Sequence, residues 1–199
     1  MKPMQSDPTV QPVPASVVET VDAADTTLSN PRWAVLALGA NLGNRLETLQ
    51  GAVDALGDTP GLRVKAVSPV YETAPWGVEP GTQPSYLNAV ALVKTTLPPS
   101  SLLERAHAVE EAFHRVREER WGARTIDVDI VAYADVVSQD PVLTLPHPRA
   151  HQRAFVLAPW HDVDPQAQLP GHGPVADLLA ALGHEGVTPR ADLELRLPE

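Results

Sequence analysis

The sequence predicts an α+β fold built around a mainly antiparallel sheet. Four apolar runs have the character of strands, two segments with helical periodicity lie among them, and their order along the chain is β-α-β-β-α-β. That order is the ferredoxin-like split pattern, in which both helices pack on one face of the sheet. We expect short C-terminal strands and a further helix to follow this βαββαβ core.

The first three elements are indicated by apolar periodicity and by punctuating residues. Residues 33–38 form an apolar run typical of a buried strand, and residues 39–44 are predicted to be a turn. Residues 46–57 then place apolar side chains at helical spacing, and a glycine ends this helix. Residues 62–71 have strand character, although Pro69 indicates an edge strand or a bulge because proline cannot donate to the ladder.

The remaining elements of the core are predicted from the same two signals, apolar periodicity and turn residues. A loop rich in proline and glycine covers residues 73–85, and residues 86–95 form the next strand. Apolar residues at helical spacing predict a second helix over 102–113, and residues 125–133 form the fourth strand. Beyond this strand we expect short strands, a proline-rich loop and a late helix near residues 175–182.

The first 31 residues differ in composition from the rest of the 199-residue chain. They contain five prolines and no sustained hydrophobic period. Such a segment has little apolar surface with which to offset the entropy lost on ordering. We therefore predict a disordered N-terminal extension over residues 1–31 and a single folded domain over residues 32–199.

Deletion of residues 1–30 is accordingly expected to leave the fold, and any activity that the folded domain has, nearly unchanged, because this segment contributes little to a core. Thermal melting and activity of the shortened chain, measured beside the full chain, test this expectation. A large fall in either quantity would show that the extension belongs to the folded unit.

Composition excludes several classes of function. The chain has no cysteine, which rules out disulfides, zinc–thiolate sites and thiol nucleophiles. Its formal charge of −10 does not attract nucleic acid or an anionic membrane. No apolar run reaches the ~18 residues that span a bilayer, and no N-terminal segment resembles a signal peptide. We therefore expect a protein that acts on small molecules, without nucleic-acid or membrane partners. A cytoplasmic location, with which the lack of cysteine is consistent, and a monomeric state are further expectations.

Two aspartates on the fourth strand form a candidate metal site. Asp127 and Asp129 point to the same strand face, with Val128 between them directed into the core. Two ionised carboxylates roughly 7 Å apart repel each other, and a divalent cation removes that conflict. Magnesium prefers hard oxygen ligands and commonly takes one or two carboxylates together with substrate phosphates. A solvated strand face with two unrelated aspartates would give the same pattern.

Arginines are concentrated around these aspartates. The chain has three lysines and no G-x-x-x-x-G-K-[ST] segment, so phosphate binding cannot follow the P-loop mode. Arginine grips phosphate through two parallel hydrogen bonds. The candidates are Arg115, Arg117, Arg120, Arg124, Arg149 and Arg153. Part of this group would equally suit the C-terminus of a helix, where cations complement the dipole.

Aromatic and amide side chains are also placed where they could bind a planar heterocycle. Tyr86 and Asn88 share one strand face, so that a ring could stack on the tyrosine while the amide pairs with the ring edge. A later segment combines His147 and Arg153 with Phe155. Each group taken alone also fits ordinary sheet packing or a surface loop.

The sequence contains four stretches that belong together: LGANLG at 38–43, YETAPWG at 71–77, YLNA at 86–89, and RWGARTIDVDI at 120–130 followed by PHPR at 146–149. Together they resemble the 6-hydroxymethyl-7,8-dihydropterin pyrophosphokinases of the folate pathway. The resemblance covers residues 34–169, and the third and fourth stretches are specific in combination.

The resemblance implies a role for each matching residue. Asp127 and Asp129 would bind two Mg²⁺ ions that bridge the phosphates of ATP, and Arg115 and Arg124 would join them in catalysis. The implied pterin pocket consists of Thr73, Ala74, Trp76, Tyr86, Asn88 and Phe155. The implied ATP-binding residues are His107, Glu110, Arg115, Arg117, Trp121, Arg124, Thr144, His147 and Arg153.

The implied reaction is in-line attack of the pterin hydroxymethyl oxygen on the β-phosphorus of ATP, with release of AMP. Two alternatives remain open. A non-catalytic ferredoxin-like module could bind pterin or nucleotide, although the retained aspartates and basic residues argue against it. A different transferase could use the same aspartates on another acceptor, although the aromatic and amide residues argue against that.

Overall fold

The antiparallel sheet is centred on strand β1, Arg32–Ala40. The computed structural model describes residues 30–75, 83–113 and 125–198. Strand β1 pairs with β4, Tyr86–Thr95, on one side and with β5, Asp127–Tyr133, on the other. Both pairings are antiparallel, so the sheet has the character that the sequence predicts. Of the predicted N-terminal extension only residues 30 and 31 are described, and its disorder stays a prediction.

The edge beside β4 consists of two short strands where the sequence predicts one. Strands β2, Leu62–Val67, and β3, Tyr71–Thr73, both pair antiparallel with β4. The interruption falls at Pro69, which has no N–H for the ladder. Just before it, the Ser68 hydroxyl accepts a hydrogen bond from the Val90 N–H at 2.8 Å. The predicted irregularity at Pro69 is thus confirmed as a break between two strands.

Helices α1, Arg45–Gly57, and α2, Pro99–Ala112, cover one face of the sheet. Leu49 and Leu102 contribute fully buried side chains to the core between these helices and the sheet. Asn44 caps α1, because its side-chain oxygen accepts from the Glu47 N–H at 3.4 Å. The predicted βαββαβ order with both helices on one face is therefore confirmed.

The opposite face carries two further helices, α3, Ala154–Val163, and α4, Val175–Leu182. Their buried side chains form a second apolar cluster with residues of the sheet, including Val90 and Val131. Helix α4 lies where the sequence predicts it, but α3 was not among the predicted elements. Pro159 inside α3 removes one hydrogen bond of the helix, and burial of this apolar segment outweighs that cost.

Short elements complete the chain. They are β6 (Ser138–Gln139), β7 (Thr144–Leu145), the 3-10 turn Ala150–Gln152, β8 (Gln168–Leu169), β9 (Gly173–Pro174) and β10 (Val187–Pro189). Strands β6 and β7 pair with each other, β8 pairs with β9, and β10 joins the main sheet beside β3. Within the described ranges, no helix has the length and apolar character needed to cross a membrane.

The C-terminal segment, residues 190–198, returns from β10 to helix α1. Leu195 is buried in the core under this segment. The Gln50 side chain donates to the Arg196 carbonyl at 3.1 Å and accepts from its N–H at 2.8 Å. Pro198 lies against Gly57 so closely that a Cβ there would come within 2.5 Å of the proline ring. Residues 196–198, at the end of the segment, are thus held against the helix.

Candidate active site

One face of the sheet carries polar side chains on β4 and β5, the two strands that flank β1. Gly39 of β1 is the register partner of both Asn88 in β4 and Asp127 in β5. Because side chains alternate along a strand, Tyr86 shares the face of Asn88, and Asp129 shares the face of Asp127. The same face continues into the apolar cluster under α3. The fold therefore brings the predicted metal pair and the predicted ring-binding pair onto one surface.

Gly39 lies between these two groups and leaves space there. A Cβ added at this position would be 3.2 Å from Asn88 Oδ1 and 3.7 Å from Tyr86 Cδ1. The predicted turn over residues 39–44 is wrong at its start, because β1 continues through Ala40. A glycine at the end of a strand also fits a turn, so the sequence did not indicate that Gly39 separates the two groups.

The aspartate pair is accessible on one side and anchored on the other. The Asp129 side chain is 48% exposed, and its Oδ2 lies 3.6 Å from Arg153 Nη1. Between the aspartates, the Val128 N–H donates to Glu110 Oε1 at 3.0 Å. Glu110 is 4% exposed on α2. Its carboxylate thus fixes the backbone between the two aspartates from behind the strand.

The donor set fits magnesium better than a metal that needs a cage of protein ligands. Among the described residues, no group of three or more His, Cys, Asp or Glu side chains is placed to hold a metal ion. Two neighbouring carboxylates remain, of which Asp129 is about half exposed. Mg²⁺ keeps several waters and commonly binds one or two carboxylates together with substrate phosphates.

His147 and Arg153 reach the aspartates from the segment that precedes α3. The His147 N–H donates to the Val131 carbonyl of β5 at 2.8 Å. Its Nδ1 accepts from the Arg149 N–H at 3.1 Å, so the neutral ring carries its proton on Nε2. Burial lowers the pKa of His147, and the Arg153 and Arg149 cations lower it further, against the opposite effect of Asp129. The ring is therefore held as a neutral Nε2–H donor at neutral pH.

Four of the predicted pterin residues lie on β3, β4 and α3. The Asn88 amide donates from Nδ2 to Thr73 Oγ1 at 2.8 Å, and both residues are buried. Thr73 is also the cross-strand partner of Tyr86, so these three side chains are positioned by one strand pairing. Ala74 follows as an exposed residue. Phe155 is half-buried in the first turn of α3, with the Arg153 guanidinium carbon 5.5 Å from its ring centre.

The remaining predicted ATP residues are less closely connected to this surface. His107 is exposed on α2. Thr144 lies in β7, and its hydroxyl donates to the Asp140 carbonyl at 3.0 Å. The predicted residues that lie outside the described part of the chain are Trp76, Arg115, Arg117, Arg120, Trp121 and Arg124.

Comparison with known proteins shows the family. Residues 35–165 match the family described as 7,8-dihydro-6-hydroxymethylpterin-pyrophosphokinase (HPPK). The chain belongs to the HPPK family. A 2-amino-4-hydroxy-6-hydroxymethyldihydropteridine pyrophosphokinase of Mycobacterium tuberculosis is 46% identical over 162 residues, covering 74% of this chain and 82% of the relative. One from Pseudomonas aeruginosa is 41% identical over 152 residues, covering 76% and 93% respectively.

Solved structures support the HPPK fold. A wild-type HPPK-DHPS of Plasmodium falciparum with pteroate aligns with a TM-score of 0.61 at 15% identity. The alignment covers 76% of this chain and 44% of that structure, so this chain spans less than half of it. The similarity shows the fold, and the expected ferredoxin-like HPPK architecture is confirmed.

Two charged residues near the HPPK site were not among the predicted site residues. Glu72 lies inside the YETAPWG stretch, on the face of β3 opposite Thr73, and Arg45 binds it from the start of α1 at 2.7 Å. An ionisable side chain between Tyr71 and Thr73, in a segment with strand character, was the signal available in the sequence. Its partners lie far away in the chain, so the sequence did not indicate the contact.

Proposed function

We propose a division of roles among the residues of this site. As an HPPK, the protein transfers the pyrophosphoryl group of ATP to 6-hydroxymethyl-7,8-dihydropterin in folate biosynthesis. The observation that supports the assignment of roles is the row formed by Asn88, Gly39 and Asp127 across three strands. Two strand spacings separate the amide from the carboxylate, roughly 10 Å between backbones. A ring bound at one end and a phosphate chain at the other can meet above Gly39.

The pterin half of the site uses stacking and edge recognition. Tyr86 and Phe155 supply aromatic faces, and Asn88 supplies an amide that can both donate to and accept from a heterocycle. Thr73 holds the Asn88 amide through the 2.8 Å hydrogen bond, so the amide is oriented before the ring arrives. Ala74 and Trp76 complete the pocket in this proposal.

The phosphate half uses acidic and basic residues together. Asp127 and Asp129 would hold Mg²⁺, which when bound supplies neutralisation of phosphate charge. We propose two ions, because the two carboxylates on one strand face can each hold one. Arg153 lies within 3.6 Å of Asp129 and is placed to bind phosphate oxygens beside it. His147 would donate from Nε2 to a phosphate oxygen as a neutral ring.

Positioning supplies most of the rate enhancement in this proposal. The site holds the pterin hydroxymethyl oxygen in line with the β-phosphorus, and AMP leaves on the opposite side. Arg115 and Arg124 would neutralise charge as the bond to the leaving group breaks. His107, Glu110, Arg117, Trp121 and Thr144 would contact or border the nucleotide, Glu110 acting through the backbone of β5. The monomeric state and the cytoplasmic location expected from the sequence stay predictions.

The products distinguish this function from its alternatives. With ATP, Mg²⁺ and 6-hydroxymethyl-7,8-dihydropterin we expect AMP and the pterin diphosphate in equal amounts, because attack at the β-phosphorus transfers two phosphates together. Chromatography of the nucleotides and pterins gives this stoichiometry. Formation of ADP would indicate ordinary phosphoryl transfer, and tight binding of both ligands without turnover would indicate a non-catalytic module.

A further inference from the structure

A charged network lies behind the pterin half of the site, on the opposite face of the sheet. Its centre is Glu72, whose Oε1 accepts from Arg45 Nη1 and from the Ser85 hydroxyl, both at 2.7 Å. Its Oε2 accepts from Arg190 Nη1 at 2.6 Å. Arg45 also donates to the Ser85 carbonyl at 2.8 Å. Three residues from different parts of the chain, Arg45, Ser85 and Arg190, therefore meet at the carboxylate of Glu72.

Two residues of this network, Glu72 and Ser85, are each followed in the chain by a proposed pterin-binding residue. Glu72 precedes Thr73 on β3, and Ser85 precedes Tyr86 at the start of β4. Thr73 and Tyr86 are cross-strand partners, and their side chains lie on the face opposite Glu72. Glu72 therefore does not contact the substrate face, but it fixes the backbone of the two residues that do.

Arg190 is brought to Glu72 by the C-terminal segment. Strand β10 pairs with β3, and the Arg190 N–H donates to the Val70 carbonyl at 2.8 Å. Asp192 binds the guanidinium of Arg190 at two points, Nε at 2.8 Å and Nη2 at 2.7 Å, which directs Nη1 to Glu72. Both Arg190 and Asp192 lie beyond residues 35–165, the part of the chain that matches the HPPK family.

We propose that Glu72 and Arg190 are positioning residues for pterin binding, through which the C-terminal segment sets the spacing of Thr73 and Tyr86. This inference rests on the proposed pterin roles of those two residues. The network is ionised throughout the physiological range: the Ser85 hydroxyl, together with Arg45 and Arg190, lowers the pKa of Glu72 to about 2. Neutralising either partner leaves the remaining charges of the network uncompensated and lets the two strand ends shift.

The test compares Glu72→Gln and Arg190→Gln with a matched control, Arg196→Gln. Arg196 lies on the same segment and is exposed, and its contacts with Gln50 are made by its backbone. For each variant the KM for the pterin is measured at saturating ATP, and the Kd of a non-hydrolysable ATP analogue is measured without pterin. Melting temperatures are recorded in parallel.

We expect both network variants to raise the pterin KM roughly tenfold, an effect typical of coupled charged neighbours. The Kd of the ATP analogue should stay near the wild-type value, and Arg196→Gln should behave as wild type. The double variant should raise the pterin KM by less than the product of the two single increases, because both changes break the same interaction between Glu72 and Arg190.

An unchanged pterin KM in the two network variants would overturn the positioning role. So would equal losses of pterin and ATP affinity, which would indicate a general contribution to stability. A wild-type protein that does not bind the pterin would overturn the proposed function as well, so the two failures are distinguishable.

Discussion

Replacement of Asp127 or Asp129 by asparagine is expected to lower Mg²⁺-dependent turnover by at least about 100-fold, because metal-assisted charge stabilisation is worth several kcal/mol. Asparagine preserves the shape of the side chain but removes the negative charge that holds a cation. Steady-state assays over a range of Mg²⁺ concentrations measure this effect. Excess Mg²⁺ should restore only part of the lost rate.

The same substitutions are expected to leave the metal-free fold intact. The Asp129 side chain is 48% exposed, and its contact with Arg153 is long, at 3.6 Å. The Arg153 side chain is 12% exposed, but solvent reaches the Asp129 end, so this long contact contributes on the order of 1 kcal/mol, and relief of repulsion from Asp127 acts in the opposite direction. Melting temperatures measured without metal should therefore stay within a few degrees of wild type or rise.

Asp135→Asn is the matched control for the aspartate pair. Asp135 is exposed and lies in the turn that follows β5, away from the site end of the strand. It should keep wild-type turnover and wild-type Mg²⁺ dependence. The metal assignment is falsified if either site variant retains near wild-type turnover, or if both site variants unfold without metal while the control does not.

Tyr86→Ala and Phe155→Ala are expected to weaken pterin binding by about 2 kcal/mol each, roughly 30-fold. The loss combines the stacking contact with the apolar area that the ring buries. ATP binding should change much less, because both side chains belong to the proposed pterin half of the site. Calorimetric titration with each ligand separates the two effects.

The control for these variants is Trp33→Ala. Trp33 is 47% exposed and lies at the far end of β1, and Lys94 Nζ lies over its ring, 4.9 Å from the ring centre. Loss of this ring should leave both ligand affinities unchanged. If Tyr86→Ala and Phe155→Ala weakened ATP and pterin binding equally, the aromatic residues would serve the fold rather than a pterin pocket.

The sequence was sufficient where neighbouring residues specify structure. The alternation of β5 places Asp127 and Asp129 on one face and Val128 in the core, and the structure confirms this. Pro69 interrupts an edge strand because its missing N–H acts locally. Helix α4 follows the predicted bounds, since its apolar side chains recur at helical spacing.

Local rules failed where tertiary packing prevailed. Helix α3 contains Pro159, which argues against a helix in any reading of the sequence alone. Five of its ten residues are nevertheless buried, and four of these belong to the second apolar cluster. Gly39 fitted a turn, but pairing with β4 and β5 on both sides keeps it in the strand. In both cases, contacts with residues distant in sequence stabilise a conformation that the local sequence does not favour.

The sequence by itself determined the βαββαβ core, the aspartate pair and the identity of the HPPK stretches, because strand alternation, helical spacing and motif order are properties of adjacent residues. Only the tertiary structure decided that Glu72 meets Arg190, which is 118 positions away. It also decided that Glu110 supports the strand between the aspartates. The physical reason is that strand register and the course of the C-terminal segment depend on core packing. The residues next to a charged side chain in the sequence therefore do not indicate which partner it meets in the folded protein.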